Sequence, residues 1–116
     1  LKKLAPKSVK LQVRTIPGAE PWICSKESFA LKAASRALSR AFGTEAVFVR
    51  EGGSIPVVAS FDKLLKVPIV LMGFGLNDDN LHAPNEKMEV RQFHRGRDAA
   101  AFLMEELADS PRKKAG

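Results

Sequence analysis

The chain has no tyrosine, one cysteine and one tryptophan among its 116 residues. A single thiol excludes an internal disulfide framework and fits a reducing compartment, so the cytoplasm is the expected location. Cys24 sits beside Trp22 and Ile23, where a small packed thiol is the ordinary role, and no Cys-x-x-Cys pair exists. No apolar run approaches the ~20 residues that cross a bilayer, so no membrane partner is expected. The start, Leu1-Lys2-Lys3-Leu4-Ala5-Pro6, lacks a signal peptide's apolar core and an initiator methionine. With a strand-like segment close behind, the second absence points to a piece of a longer polypeptide. Histidine is scarce too: His82 and His94 are the two present, and no His-x-x-x-His or other two-histidine metal spacing occurs. A Ser/His/Asp elbow and a P-loop are equally missing.

What is present is the composition of one ordinary globular domain, 45% hydrophobic and 28% charged. Nineteen Lys and Arg against thirteen Asp and Glu give a net charge of +6. That excess invites a nucleic-acid reading, but the basic residues are scattered and five of the nineteen lie at the two ends. The phenylalanines fall at core spacing and are not interleaved with basic residues, as a base-stacking platform requires.

Residues 8–16 alternate Val9, Leu11 and Val13 with Lys10, Gln12 and Arg14, the pattern of a half-buried strand. Pro17-Gly18 and Pro21 break it and make residues 17–25 a hinge. Residues 28–42 predict a helix with Phe29, Ala33, Ala37 and Ala41 interleaved with Ala30, Ala34, Leu38 and Phe42. Ser25 or Ser28 can cap its start, and Gly43 stops it. Val47-Phe48-Val49 is a short strand, residues 55–65 a second helix with Ser54 as cap and Pro56 in its first turn, and residues 67–71 a central strand apolar enough to be covered on both faces. A terminal helix spans about 90–107, with Ala99, Phe102, Leu103 and Leu107 on one stripe; Gly96 weakens its start, so order is expected from near Asp98. Residues 110–116 form a basic, disordered tail. The order α-β-α-β-α describes an α/β layer with a parallel strand pair.

Two stretches carry chemistry. In Arg50-Glu51-Gly52-Gly53-Ser54-Ile55-Pro56, two glycines let the backbone approach a ligand. The following helix aims free N–H groups and a partial positive charge at the turn, which suits a carboxylate or phosphate. The plain alternative is a tight turn with an N-cap. The second stretch, Leu76-Asn77-Asp78-Asp79-Asn80-Leu81-His82-Ala83-Pro84-Asn85-Glu86, sets a histidine among carboxylates and amides just after an apolar run. Neutral His82 could bind zinc or a similar divalent ion, with Asp78, Asp79 or Glu86 as oxygen ligands or as groups orienting the ring. Taken alone, the loop reads as turns with an exposed histidine. His94, followed by Arg95-Gly96-Arg97, reads as a surface residue.

Taken together, Gly52-Gly53-Ser54-Ile55-Pro56, the apolar strand ending Met72-Gly73-Phe74-Gly75, and Asn80-Leu81-His82-Ala83-Pro84-Asn85-Glu86 form a distinctive series. It resembles the C-terminal part of the co-catalytic zinc metallopeptidases and amidohydrolases that include carnosine-type dipeptidases, succinyl-diaminopimelate desuccinylases and aminoacylases. The dipeptidase-like subgroup is the nearest match, over about residues 7–107. The resemblance implies a partial three-layer zinc-peptidase catalytic domain over residues 26–109. Residues 1–16 would be the last strand of a lid or dimerisation domain, joined by the hinge at 17–25. It implies that His82 is the last ligand of a two-zinc centre and that Gly53 and Ser54 contact the carboxylate end of the substrate. Asn85 and Glu86 match positions that support the metal loop. The implied substrate is a dipeptide or N-acyl amino acid, and the implied parent is a homodimer.

The departures limit the chain itself. The family's other metal ligands, its general-base glutamate and its lid residues have no counterpart here. No catalytic residue is therefore assigned within the chain, which is expected to be inactive alone. The alternative is a free-standing, non-catalytic basic α/β module that binds an acidic peptide or nucleic acid. Unpaired sheet edges in an isolated piece would also favour self-association.

Overall fold

A computed structural model describes residues 2–14, 18, 20–51 and 55–109. Their regular structure is a 3₁₀ turn at Lys2–Leu4 and three helices, α1 (Phe29–Phe42), α2 (Val57–Leu65) and α3 (Val90–Ala108). Ser28 holds the N-cap position of α1 without a side-chain cap bond. The Ser25 hydroxyl instead accepts the Glu27 N–H at 3.2 Å, one turn earlier. At the other end Gly43 adopts φ 73° and donates its N–H to the Ser39 carbonyl at 2.9 Å, the left-handed stop its position predicts.

Alanine spacing explains how α1 packs. Ala30, Ala33, Ala34 and Ala37 are buried on one face, and Gly96 and Ala99 are buried on α3. Small side chains at these positions let two helix backbones approach closely. Above this seam Phe42 of α1 stacks on Phe74, with ring centroids 6.3 Å apart and planes 5° from parallel. Charges also join the two helices: Arg36 donates to Glu106 at 2.6 Å, and Arg40 reaches Glu106 at 3.1 Å and Glu105 at 2.8 Å. The Arg40 guanidinium also lies 4.1 Å from the Phe102 ring centroid, so its charge and its flat face are both used.

The structure corrects the expectation for Gly96. α3 runs unbroken through it, and Gly96 is a packing position and not a weak start. A Cβ there would lie 2.9 Å from Phe74 Cδ2 and 3.1 Å from Cγ. The absent side chain is the space that the Phe74 ring fills.

The strand expectations fare differently. Residues 8–14, 45–51 and 67–75 contain no strand, although all three segments have strand-like patterns. Val9, Leu11, Val13, Val47, Phe48, Val49, Val67 and Leu71 are exposed. A strand exists only against a neighbour ~4.8 Å away that takes up its backbone donors and acceptors. Among the described residues none of these segments meets such a neighbour, and the expected parallel pair is not formed. α2 likewise leaves Phe61, Leu64 and Leu65 exposed and packs on neither α1 nor α3. Its Lys63 pairs with Glu20 instead. The radius of gyration is 19.4 Å, against about 13 Å for a compact domain of 100 residues. One helix pair is consolidated, and the apolar segments around it lie open.

Two outcomes follow from the seam. In a free helix Gly96→Ala would gain about 1 kcal/mol of propensity. Overpacking against the stem of the Phe74 ring costs about 1–3 kcal/mol. The variant should therefore lose about 1 kcal/mol in urea unfolding followed by helix circular dichroism, and adding Phe74→Leu should recover it. The second outcome concerns Glu106, whose carboxyl is held below the usual range first by the Arg36 hydrogen bond and then by Arg40, with burial opposing. A lowered carboxyl pKa stabilises the fold above the unfolded value and loses that contribution as pH falls through the folded value. Wild type should melt above Glu106→Gln at neutral pH, and the gap should close on acidification below about pH 4.

Candidate functional site

The loop after the Phe74 stack begins where the chain leaves the helix seam. Asp78-Asp79 looks like a symmetric acidic pair in sequence, and the fold splits its roles. Asp79 is 1% exposed, the one buried charged side chain among the described residues. Its Oδ2 accepts the Leu76 N–H at 2.7 Å, and its own N–H donates to the Leu76 carbonyl at 3.1 Å. Its backbone carbonyl accepts the Lys87 N–H at 3.0 Å, which closes the loop from 79 to 87. Asp78 is exposed and accepts a hydrogen bond from Lys87 Nζ at 2.8 Å. That bond, with the nearby positive charge, lowers the Asp78 pKa, and the same bond raises that of Lys87.

Within the closed loop the backbone turns sharply. Asn80, His82 and Asn85 have φ of 54°, 61° and 60°, and Ala83 N–H donates to the Asn80 carbonyl at 2.9 Å. Asparagine tolerates the left-handed region, and histidine enters it less readily. His82 is exposed, and its imidazole makes no hydrogen bond to a described residue. A free imidazole presented on a closed loop fits one metal ligand.

It does not make a centre. Among the described residues no group of three or more His, Cys, Asp or Glu could hold a metal ion. Asp79 turns its carboxylate toward Leu76 and Asp78 turns toward Lys87, while Asn85 and Glu86 are exposed beside His82 in sequence. Gly53 and Ser54, with Gly52, lie outside the described residues. So do Thr15, Ile16, Pro17 and Ala19 of the strand end and hinge, and residues 110–116 of the tail. His94 is exposed near the start of α3 with its ring edge-on to Phe93, as its sequence context predicts. Lys87 escaped the reading of the sequence. The available signal was a lysine immediately after the acidic loop, spaced to fold back on its first carboxylate.

Residues 2–106 match the family described as Peptidase family M20/M25/M40. The chain belongs to this family. It is 34% identical over 99 residues to the Cys-Gly metallodipeptidase dug1 of Schizosaccharomyces pombe, covering 85% of this chain and 21% of that protein. It is 34% identical over 99 residues to the human Beta-Ala-His dipeptidase, covering 84% of this chain and 20% of that one. Its fold superposes on the di-peptidase Dug1p of Saccharomyces cerevisiae with a TM-score of 0.74 and 31% identity, covering 78% of this chain and 19% of that structure. The chain thus spans about a fifth of the length of the M20-type relatives it matches. No described helix is long and apolar enough to cross a membrane.

The Lys87 contact has a direct check. In Lys87→Met the Asp78 carboxyl should titrate at higher pH than in wild type, toward the ordinary aspartate range, when followed by carboxyl carbon chemical shifts. An unchanged Asp78 midpoint would remove Lys87 from the account of this loop.

Proposed function

We propose that this chain is the C-terminal segment of a two-zinc dipeptidase or amidohydrolase that hydrolyses peptide or N-acyl amide bonds. It would contribute one metal ligand, His82, and part of the site for the substrate's carboxylate end, Gly53 and Ser54. The observation that carries the reading is the presentation of His82: exposed, at φ 61°, on a loop closed by Asp79 and Lys87. Membership of a family whose similar members include a Cys-Gly metallodipeptidase and a Beta-Ala-His dipeptidase supports a dipeptide substrate.

In the proposed assembly, residues 26–109 belong to the catalytic domain, with helices and strands in the order α-β-α-β-α. Residues 1–16 supply a strand of a lid or dimerisation domain, and 17–25 form the hinge. The strand-patterned segments would complete their ladders against chain outside these residues, which accounts for their exposed valines and phenylalanine. Bound zinc would supply Lewis acidity toward the scissile carbonyl and a more acidic water. This chain's own work is to hold His82, and through Ser54 and the start of α2 to fix an anionic substrate end. Asn85 and Glu86 support the His82 loop. The whole protein is proposed to be cytoplasmic and homodimeric through the lid, and inactive when reduced to these residues.

The basic-module alternative has less support. Lys32, Arg36, Arg40, Lys63, Lys87 and Arg97 are each engaged with a carboxylate, which leaves no continuous basic stripe among them.

The test uses a polypeptide of the relatives' full length that carries this segment, assayed for zinc content and for Cys-Gly and β-Ala-His hydrolysis. Losing a group that merely supports a ligand costs about 10–100-fold. His82→Ala should exceed that range in kcat/KM and lower the zinc content in parallel, whereas Glu86→Gln should fall within it. Full zinc occupancy in His82→Ala would sink the ligand assignment.

A further inference from the structure

We propose that Asp79 is the positioning residue of the His82 loop, an inference that rests on reading His82 as a ligand. Its carboxylate is 98% shielded from solvent in a segment where every neighbour from Asn80 to Val90 is exposed. Burying a carboxylate is costly unless donors meet it. One oxygen takes the Leu76 N–H at 2.7 Å. The other, Oδ1, is buried without a hydrogen-bond partner, and Lys87 Nζ stands 3.8 Å away, within ion-pair reach only. The side chain therefore tethers the start of the loop, while its backbone carbonyl takes the Lys87 N–H and tethers the end. One residue grips both ends of the turn that carries His82.

The surroundings are shaped to it. A Cβ at Gly75 would lie 3.3 Å from Asp79 Oδ2, tighter than ordinary contact, so glycine leaves the carboxylate its room. Phe74, the residue before, is wedged between Phe42 and Gly96. Position thus passes from the α1–α3 seam through Phe74 and Gly75 to Asp79, and from Asp79 to the loop. Asp78, one residue away, is exposed and meets the Lys87 side chain alone. The two aspartates are not interchangeable.

The experiment compares the full chain with Asp79→Ala and Asp79→Asn by amide hydrogen exchange and NMR. Two signals report the loop: protection of the Leu76 amide, and the strong intraresidue amide–α proton contact that a left-handed His82 must give. Amides of Ala33 and Ala99 report the helix seam. Asp79→Ala should speed Leu76 exchange on the order of tenfold and weaken the His82 contact, with the seam amides unchanged. Asp79→Asn keeps an acceptor of the same shape and should stay within about twofold of wild type. The proposal is overturned if Asp79→Ala leaves both loop signals intact, or if Asp79→Asn behaves as Asp79→Ala does. It is equally overturned if the seam amides are lost with the loop, because Asp79 would then hold the fold and not the loop. A wild-type chain without the strong His82 contact overturns it at the outset. None of these signals requires bound metal, so a failure here is separable from a failure of His82 as a ligand.

Discussion

The contact on which the rest depends is the close approach of α1 and α3 over alanine and glycine. Ala33, Ala37 and Ala99 are fully buried, and none has the bulk to hold two helices together by area alone. What they provide is proximity. Proximity lets Arg36 and Arg40 cross to Glu105 and Glu106, and lets Phe74 reach the space that Gly96 leaves open. Proximity also sets the Arg95 guanidinium over the Phe42 ring, 5.5 Å from its centroid. The chain after Phe74 inherits its position from that wedge.

Away from the seam the balance reverses. A typical core residue is covered on all sides, whereas Val47 and Leu64 are 83% and 79% exposed. Such a surface is more than scattered exposed leucines, since it includes three strand-patterned segments and one face of α2. The physics of strands accounts for the contrast with the helices. A helix closes its hydrogen bonds within its own segment, so the backbones of α1 and α3 need no neighbour to satisfy them. A strand closes none, and its pattern is a statement about a neighbour.

That difference decides what could be read from residues alone. The boundaries of α1 were legible because Ser28 and Gly43 mark them locally. The continuity of α3 was not, because propensity penalises Gly96 while tertiary packing requires it, and the ring it accommodates lies 22 positions away at Phe74. His82 stood out through its motif. Asp79 was legible only as one of several candidate groups beside the histidine, because Asp78-Asp79 offers two like carboxylates and only the fold shows which one turns inward; Lys87 was not among them. The Gly52-Gly53-Ser54 turn lies outside the described residues, and its role rests on the pattern of the sequence and on family membership.

The His82 loop also has an energetic logic of its own. Three non-glycine residues within six positions occupy the left-handed region. Such conformations cost about 1–3 kcal/mol each, least for asparagine. A hydrogen bond contributes about 0.5–1.5 kcal/mol net. The bonds from the Asp79, Ala83 and Lys87 backbone N–H groups, with the Leu76 N–H bond to the Asp79 carboxylate, therefore offset only part of that strain. A loop strained in this way keeps its shape only while its anchors hold, and any further bond made at the imidazole weighs directly on the folded side. The anchors are Asp79 and Lys87, and the strain lies between them at Asn80, His82 and Asn85.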